Sequence, residues 1–119
     1  MTETQNSKQY DLGERTKKFA KRTRDFVKDL ARTIANTEDA RQLVRSSGSV
    51  GANYVEAEEA LSKKDFVMRI KISRKEAKES KYWLELIDTK KEMIQEKEAL
   101  IQEAGELTKI FGAIVQKSK

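Results

Sequence analysis

Residues 45–60 read RSSGSVGANYVEAEEA, and the first eight of them hold two glycines, three serines and an alanine. Such a stretch fits a loop, a phosphate-binding turn, or a helix that has to be thin, and the register of its surroundings decides between them. Ala40, Leu43, Val44, Ser47, Val50, Tyr54, Ala57 and Leu61 recur at helical spacing and share one face. The glycines sit inside that run without interrupting it, so the stretch is predicted to be helical. A phosphate loop is excluded, because Gly48-Ser49-Val50-Gly51 lacks the G-x-x-x-x-G-K-[ST] spacing and does not sit between a strand and a helix.

The flanking sequence repeats the pattern. Upstream, Asp11 and Glu14 form an acidic capping box, and Leu12, Thr16, Phe19, Thr23, Phe26, Leu30 and Ile34 line one face of a first helix. Lys17, Lys21, Arg24 and Lys28 fall almost opposite. Asn36-Thr37 reads as a turn, with Thr37 as the next N-cap. Downstream, Ser62 and Asp65 cap a third helix with the stripe Phe66, Ile70, Ser73, Ala77, Ser80 and Leu84. Residues 88–95 blur the period, and Leu100, Ile101, Ala104, Leu107, Phe111 and Ile114 mark a fourth. The predicted helices are 11–35, 38–61, 63–88 and 95–116, between a flexible tail at 1–10 and a short one at 117–119. Each is up to ~37 Å long at about 1.5 Å per residue. Their short connections make neighbours antiparallel, which gives an all-α, up-and-down four-helix bundle.

Composition agrees. The 119 residues contain no Pro, Cys or His, only five Gly, and 38% charged side chains, a balance that favours long helices over sheet. The missing histidine removes the commonest general acid–base group and metal ligand, and Glu-x-x-His metal pairs are impossible. The expectation is a non-enzyme with no cofactor and no metal. No apolar run approaches the ~18 residues of a membrane span, so a cytoplasmic, non-membrane protein is expected.

Two features point outward. The second helix presents Gly48, Ser49, Ala52 and Val55, with Arg45 at one end, away from its main stripe; the third similarly carries Met68, Ile72 and Trp83. Helices apolar or small on both sides are generally buried on both sides, and a four-helix monomer cannot do this for two of them. Those eight residues are therefore candidates for contact with another copy of the chain. The alternative is that Gly48 and Gly51 mark a tight spot inside the monomer.

Charge is the other feature. The net charge of +5 gathers on the first and third helices, where Lys17, Lys21, Arg24 and Lys28, and Lys71, Arg74, Lys75 and Lys78, form basic faces suited to phosphates. Tyr54, Tyr82 and Trp83 are the aromatics considered for base stacking, with Tyr54 read as core. Arg15 projects near an apolar face, where an arginine is either paired or snorkels; Glu56 or Glu76, which flank their own stripes, would answer it, the alternative being that all three are solvated boundary charges. The rival reading of the basic faces is ordinary solvated surface on a protein–protein adaptor.

The blocks YDLGERTKKFA (10–20), QLVRSSGSVGANYVEAEEALSKKDF (42–66) and KEAKESKYWLELI (75–87), in this order, resemble the four-helix-bundle proteins of the bacterial 23S rRNA intervening-sequence family over about residues 10–111. The resemblance implies a left-handed bundle and a homopentameric ring, a number that composition and spacing do not reach. It also implies a link to RNA or DNA, since a related branch serves retroelement reverse transcriptases as an accessory protein with a basic surface. It carries no catalytic residues, and no biochemical activity is established for the family.

Overall fold

The structure is a computed structural model and describes residues 11–119; the tail expected at 1–10 lies outside the described residues. Four α-helices account for most of it: α1 (Leu12–Lys28), α2 (Ile34–Glu58), α3 (Lys63–Leu86) and α4 (Ile94–Lys117), with a single 3-10 turn at Lys91–Met93 before α4. There is no strand among the described residues. α1 packs on α2 and α4, α2 on α3, and α3 on α4.

Capping chemistry sets most of the helix starts. Asp11 accepts the Glu14 backbone N–H at 3.1 Å, and Ser62 accepts that of Asp65 at 3.1 Å, each supplying an acceptor that the first helical turn lacks. The α1–α2 connection differs from the sequence expectation. Thr33, not Thr37, caps α2, its hydroxyl accepting from the Asn36 N–H at 3.0 Å. The Asn36 side chain, almost fully buried, then ties two connections together. It donates to the carbonyls of Ala31 and Asp88 at 3.1 and 3.0 Å, and its oxygen accepts the Asp88 N–H at 3.1 Å. An earlier start moves Ile34 off the core stripe. As the first residue of α2 it is 88% exposed, while Leu30 turns inward after α1 has ended. At the other end α2 stops at Glu58, which leaves Leu61 in the connection and 98% exposed. In both places the apolar spacing continues across a break in the helix, so periodicity alone overruns the element.

The core is formed by Leu12, Phe19, Phe26, Leu43, Val50, Ala57, Ile70, Ala77, Leu84, Leu100, Ala104, Leu107, Phe111 and their neighbours. Tyr54 is half-buried against it, its ring centroid 6.2 Å from that of Phe111. Serines fill the seam between α2 and α3. The Ser46 and Ser80 hydroxyls meet at 2.8 Å, Ser80 donates onward to the Glu76 carbonyl, and Ser73 donates to the Val50 carbonyl at 2.9 Å. With both sides small and their hydroxyls bonded, the two backbones approach closely at no unpaired polar cost. Further along the seam Arg69 donates to the Asn53 side chain at 3.0 Å.

The glycines divide in role. No described glycine has positive φ, so backbone freedom is not their purpose. A Cβ on Gly51 would stand 2.9 Å from the Thr16 hydroxyl oxygen and 3.2 Å from the Thr16 Cβ. Gly51 therefore lets α1 lie against α2, an approach within one chain. At Gly48 the nearest atom is Nη2 of Arg24, at 3.3 Å.

Candidate nucleic-acid interface

The lysine-rich face of α3 does not stand alone. Lys71, Arg74, Lys75, Lys78 and Lys81 on α3 and Lys109 on α4 line one groove of about 580 Å3, together with Gly105 and Thr108. Six cations and no acid line it. Of the six, only Lys75 has a carboxylate within ion-pair distance, that of its neighbour Glu76 at 3.9 Å, among the described residues. The Arg74 stem lies over Gly112, where an added Cβ would touch its Cδ at 3.7 Å. Gly105 is open, with nothing within 4 Å of the space a Cβ would fill. The Thr108 hydroxyl donates to the Ala104 carbonyl at 2.7 Å, which leaves the cations as the donors for an anion in the groove. Such a trough of one sign concentrates positive potential along its length.

The α1 face is weaker. Lys17 and Lys21 are exposed, but Lys28 pairs with Asp25 at 3.3 Å, and the Arg24 guanidinium leans over Gly48. Lys17, Lys21 and Arg24 border a smaller groove of about 370 Å3 against Gly48, Gly51, Ala52 and Val55. The two predicted basic faces thus occupy separate grooves, one between α1 and α2 and one between α3 and α4.

Arg15 corrects the predicted pairing. It binds Glu103 through two hydrogen bonds, at 2.8 and 2.9 Å, and Glu106 at 2.8 Å, not Glu56 or Glu76. The reason is adjacency: α1 packs beside α4, whereas Glu56 on α2 is exposed. The bonds to Glu103 raise the Arg15 pKa above its usual range against the cost of burial. Arg22 repeats the contact one stage along, meeting Glu96 at 3.0 Å.

Glu76 is 6% exposed and pairs with Arg45 at 3.3 Å. Arg45 also binds Glu79, to which the Trp83 indole N–H donates at 3.0 Å. Burial works against the Arg45 charge, and the two carboxylates outweigh it, so its pKa is raised. The Trp83 bond, with help from Arg45, holds the Glu79 carboxyl below its ordinary value. This cluster joins α2 to α3, the helices that also carry Met68, 46% exposed, and the half-buried Ile72 and Ser49, while Gly48 lies toward α1 under Arg24. Ala52 and Val55 are exposed on the adjoining side of α2. Trp83 itself is half-buried against the core, with Tyr82 edge-on at 5.0 Å between centroids.

Sequence reasoning missed Lys81 and Lys109. Lys81 lies three residues beyond Lys78 and is legible as one more turn of the same face. Lys109 becomes visible only once α3 and α4 are known to be neighbours. Glu103 and Glu106, one turn apart on α4, were hidden for the same reason.

No cluster of potential metal ligands occurs among the described residues, and no described helix is long and apolar enough to cross a membrane. No curated protein matches the chain. A solved structure does: a protein of unknown function from the S23 ribosomal protein family of Bacteroides thetaiotaomicron, 30% identical, with a TM-score of 0.73, covering 87% of this chain and 96% of that one. The family model described as 23S rRNA-intervening sequence protein matches residues 8–113. That span takes in the thin α2, the serine seam and the lysine-rich α3 alike, and the chain belongs to the 23S rRNA-intervening sequence protein family.

Proposed function

We propose that this protein is a non-enzymatic, oligomeric helical bundle that binds RNA or DNA without reading sequence, through phosphate contacts in the α3/α4 groove, with the α1 face in a lesser role. The observation that carries the reading is the groove itself: six cations, five of them without a carboxylate partner among the described residues, and no acid in the lining. Neutralising phosphates releases counterions, so affinity should fall steeply with salt. With all six cations engaged, log K against log salt has a slope of roughly −4 for a single strand. Fluorescence anisotropy with labelled RNA and DNA between about 50 and 200 mM salt measures it. No binding at the low end, or a flat dependence, overturns the reading.

The bundle is antiparallel and up-and-down in this proposal, left-handed like the family it belongs to. Partner numbers that run in opposite directions support the antiparallel pairing: Asn36 with Asp88, Ser46 with Ser80, Val50 with Ser73, and Arg15 with Glu103 against Arg22 with Glu96.

Five copies form a ring through the outer α2/α3 face, which offers Met68 and Ile72 on α3, Ala52 and Val55 on α2, and the Arg45–Glu76–Glu79 cluster. The patch of exposed apolar side chains there supports association. Ala52→Arg, which places a charge in that contact, is expected to dissociate the assembly and leave helicity unchanged. Light scattering that finds a monomeric wild type, or an assembled variant, removes this part. The same patch favours a second reading, a protein–protein adaptor, whose binding would lack the salt dependence.

A further inference from the structure

We infer that Tyr82 is a base-stacking platform at the end of the α3 lysine track, so that the groove prefers an unpaired strand to a duplex; this rests on the nucleic-acid reading above. Lys71, Lys75, Lys78 and Tyr82 follow at intervals of four, three and four residues, which puts them on one stripe of the helix over about 16 Å of rise. All four are exposed. Tyr82 is 54% exposed at a position where the helix has a buried face available, and no described residue hydrogen-bonds its hydroxyl. Its ring is nonetheless anchored. The Trp83 indole stands edge-to-face with it at 72°, and Trp83 is itself packed on the core and bonded to Glu79. A fixed aromatic at the end of a cationic stripe is the arrangement that holds single strands: cations follow the backbone while a base stacks on the ring, whichever base it is. One turn further, Glu85 reverses the charge and ends the track.

A duplex keeps its base faces inside its own stack and can use only the lysines. The strand types therefore respond differently to Tyr82. In Tyr82→Ala, Kd for a short labelled oligothymidylate is expected to rise roughly tenfold, while Kd for a duplex of equal length stays within about twofold. Tyr82→Phe, which keeps the ring, is expected to bind the single strand like wild type. Trp83, the only tryptophan, adds a reporter: its fluorescence should be quenched by the single strand in wild type and in Tyr82→Phe. Equal loss for both probes, or no loss in Tyr82→Ala, overturns the stacking role while phosphate binding stands. Wild type that binds neither probe instead overturns the nucleic-acid reading, and the platform with it.

Discussion

Reversing Lys71, Lys75 and Lys78 together to glutamate is expected to weaken nucleic-acid binding by roughly a thousandfold or more at about 50 mM salt, taking it below detection in an anisotropy titration. The groove then holds Arg74, Lys81 and Lys109 against three new carboxylates, so its field is cancelled, not merely reduced. Stability should change little. Lys71 and Lys78 have no ion-pair partner among the described residues and Lys75 only a long one at 3.9 Å, all three are exposed, and glutamate is as good a helix former as lysine. Repulsion between glutamates four residues apart costs a few tenths of a kcal/mol per pair. The matched control reverses Lys17 and Lys21 on α1, where Asp25 already pairs with Lys28; its effect should be nearer tenfold. If the α3 variant binds like wild type and the α1 variant does not, the phosphate track lies between α1 and α2. If neither variant changes binding, the basic faces are solvated surface.

Much of the scaffold was legible because it rests on local chemistry. The thin stretch is helical from Arg45 to Glu58, the Asp11 and Ser62 caps sit where their spacing put them, and Ser47, Ser73 and Ser80 are buried on the predicted core stripes, whereas Ser46, buried as well, lies off them. The missed partners share one physical cause: a single helix face does not name its neighbour. The position of Arg15 beside an apolar face left pairing and solvation both open, and choosing Glu103 and Glu106 requires knowing that α4 lies beside α1. Lys109 completes the basic groove for the same kind of reason. The shifted start of α2 is different. Thr33 and Thr37 both suit a cap, and what separates them is the buried Asn36 amide, whose three hydrogen bonds reach Ala31 and Asp88 and so depend on a connection fifty-two residues away.

Gly51→Leu is expected to cost about 3 kcal/mol or more, the upper end of what overpacking does, and to loosen α1 from the bundle. The first side-chain carbon already collides, at 2.9 Å from the Thr16 hydroxyl oxygen. Thr16 cannot swing aside cheaply, because it is buried and its hydroxyl donates to the Leu12 carbonyl at 2.6 Å. The α1 backbone would have to move. The ion pairs that join α1 to α4 are part-exposed and too weak to hold it, and displacement would uncover Phe19 and Phe26. Gly48→Ala makes the opposite prediction. Its new carbon meets the far end of the exposed Arg24 side chain, which can shift, and alanine gains up to ~1 kcal/mol of helix propensity; the variant should be neutral or more stable. Urea unfolding midpoints separate the two. Thr16→Ala placed in a Gly51→Ala background should recover part of the loss, since the cycle removes the colliding oxygen. Equal tolerance at both glycines would mean that α2 is not thin for the sake of α1, and that Gly51 does not mark a tight spot inside the monomer.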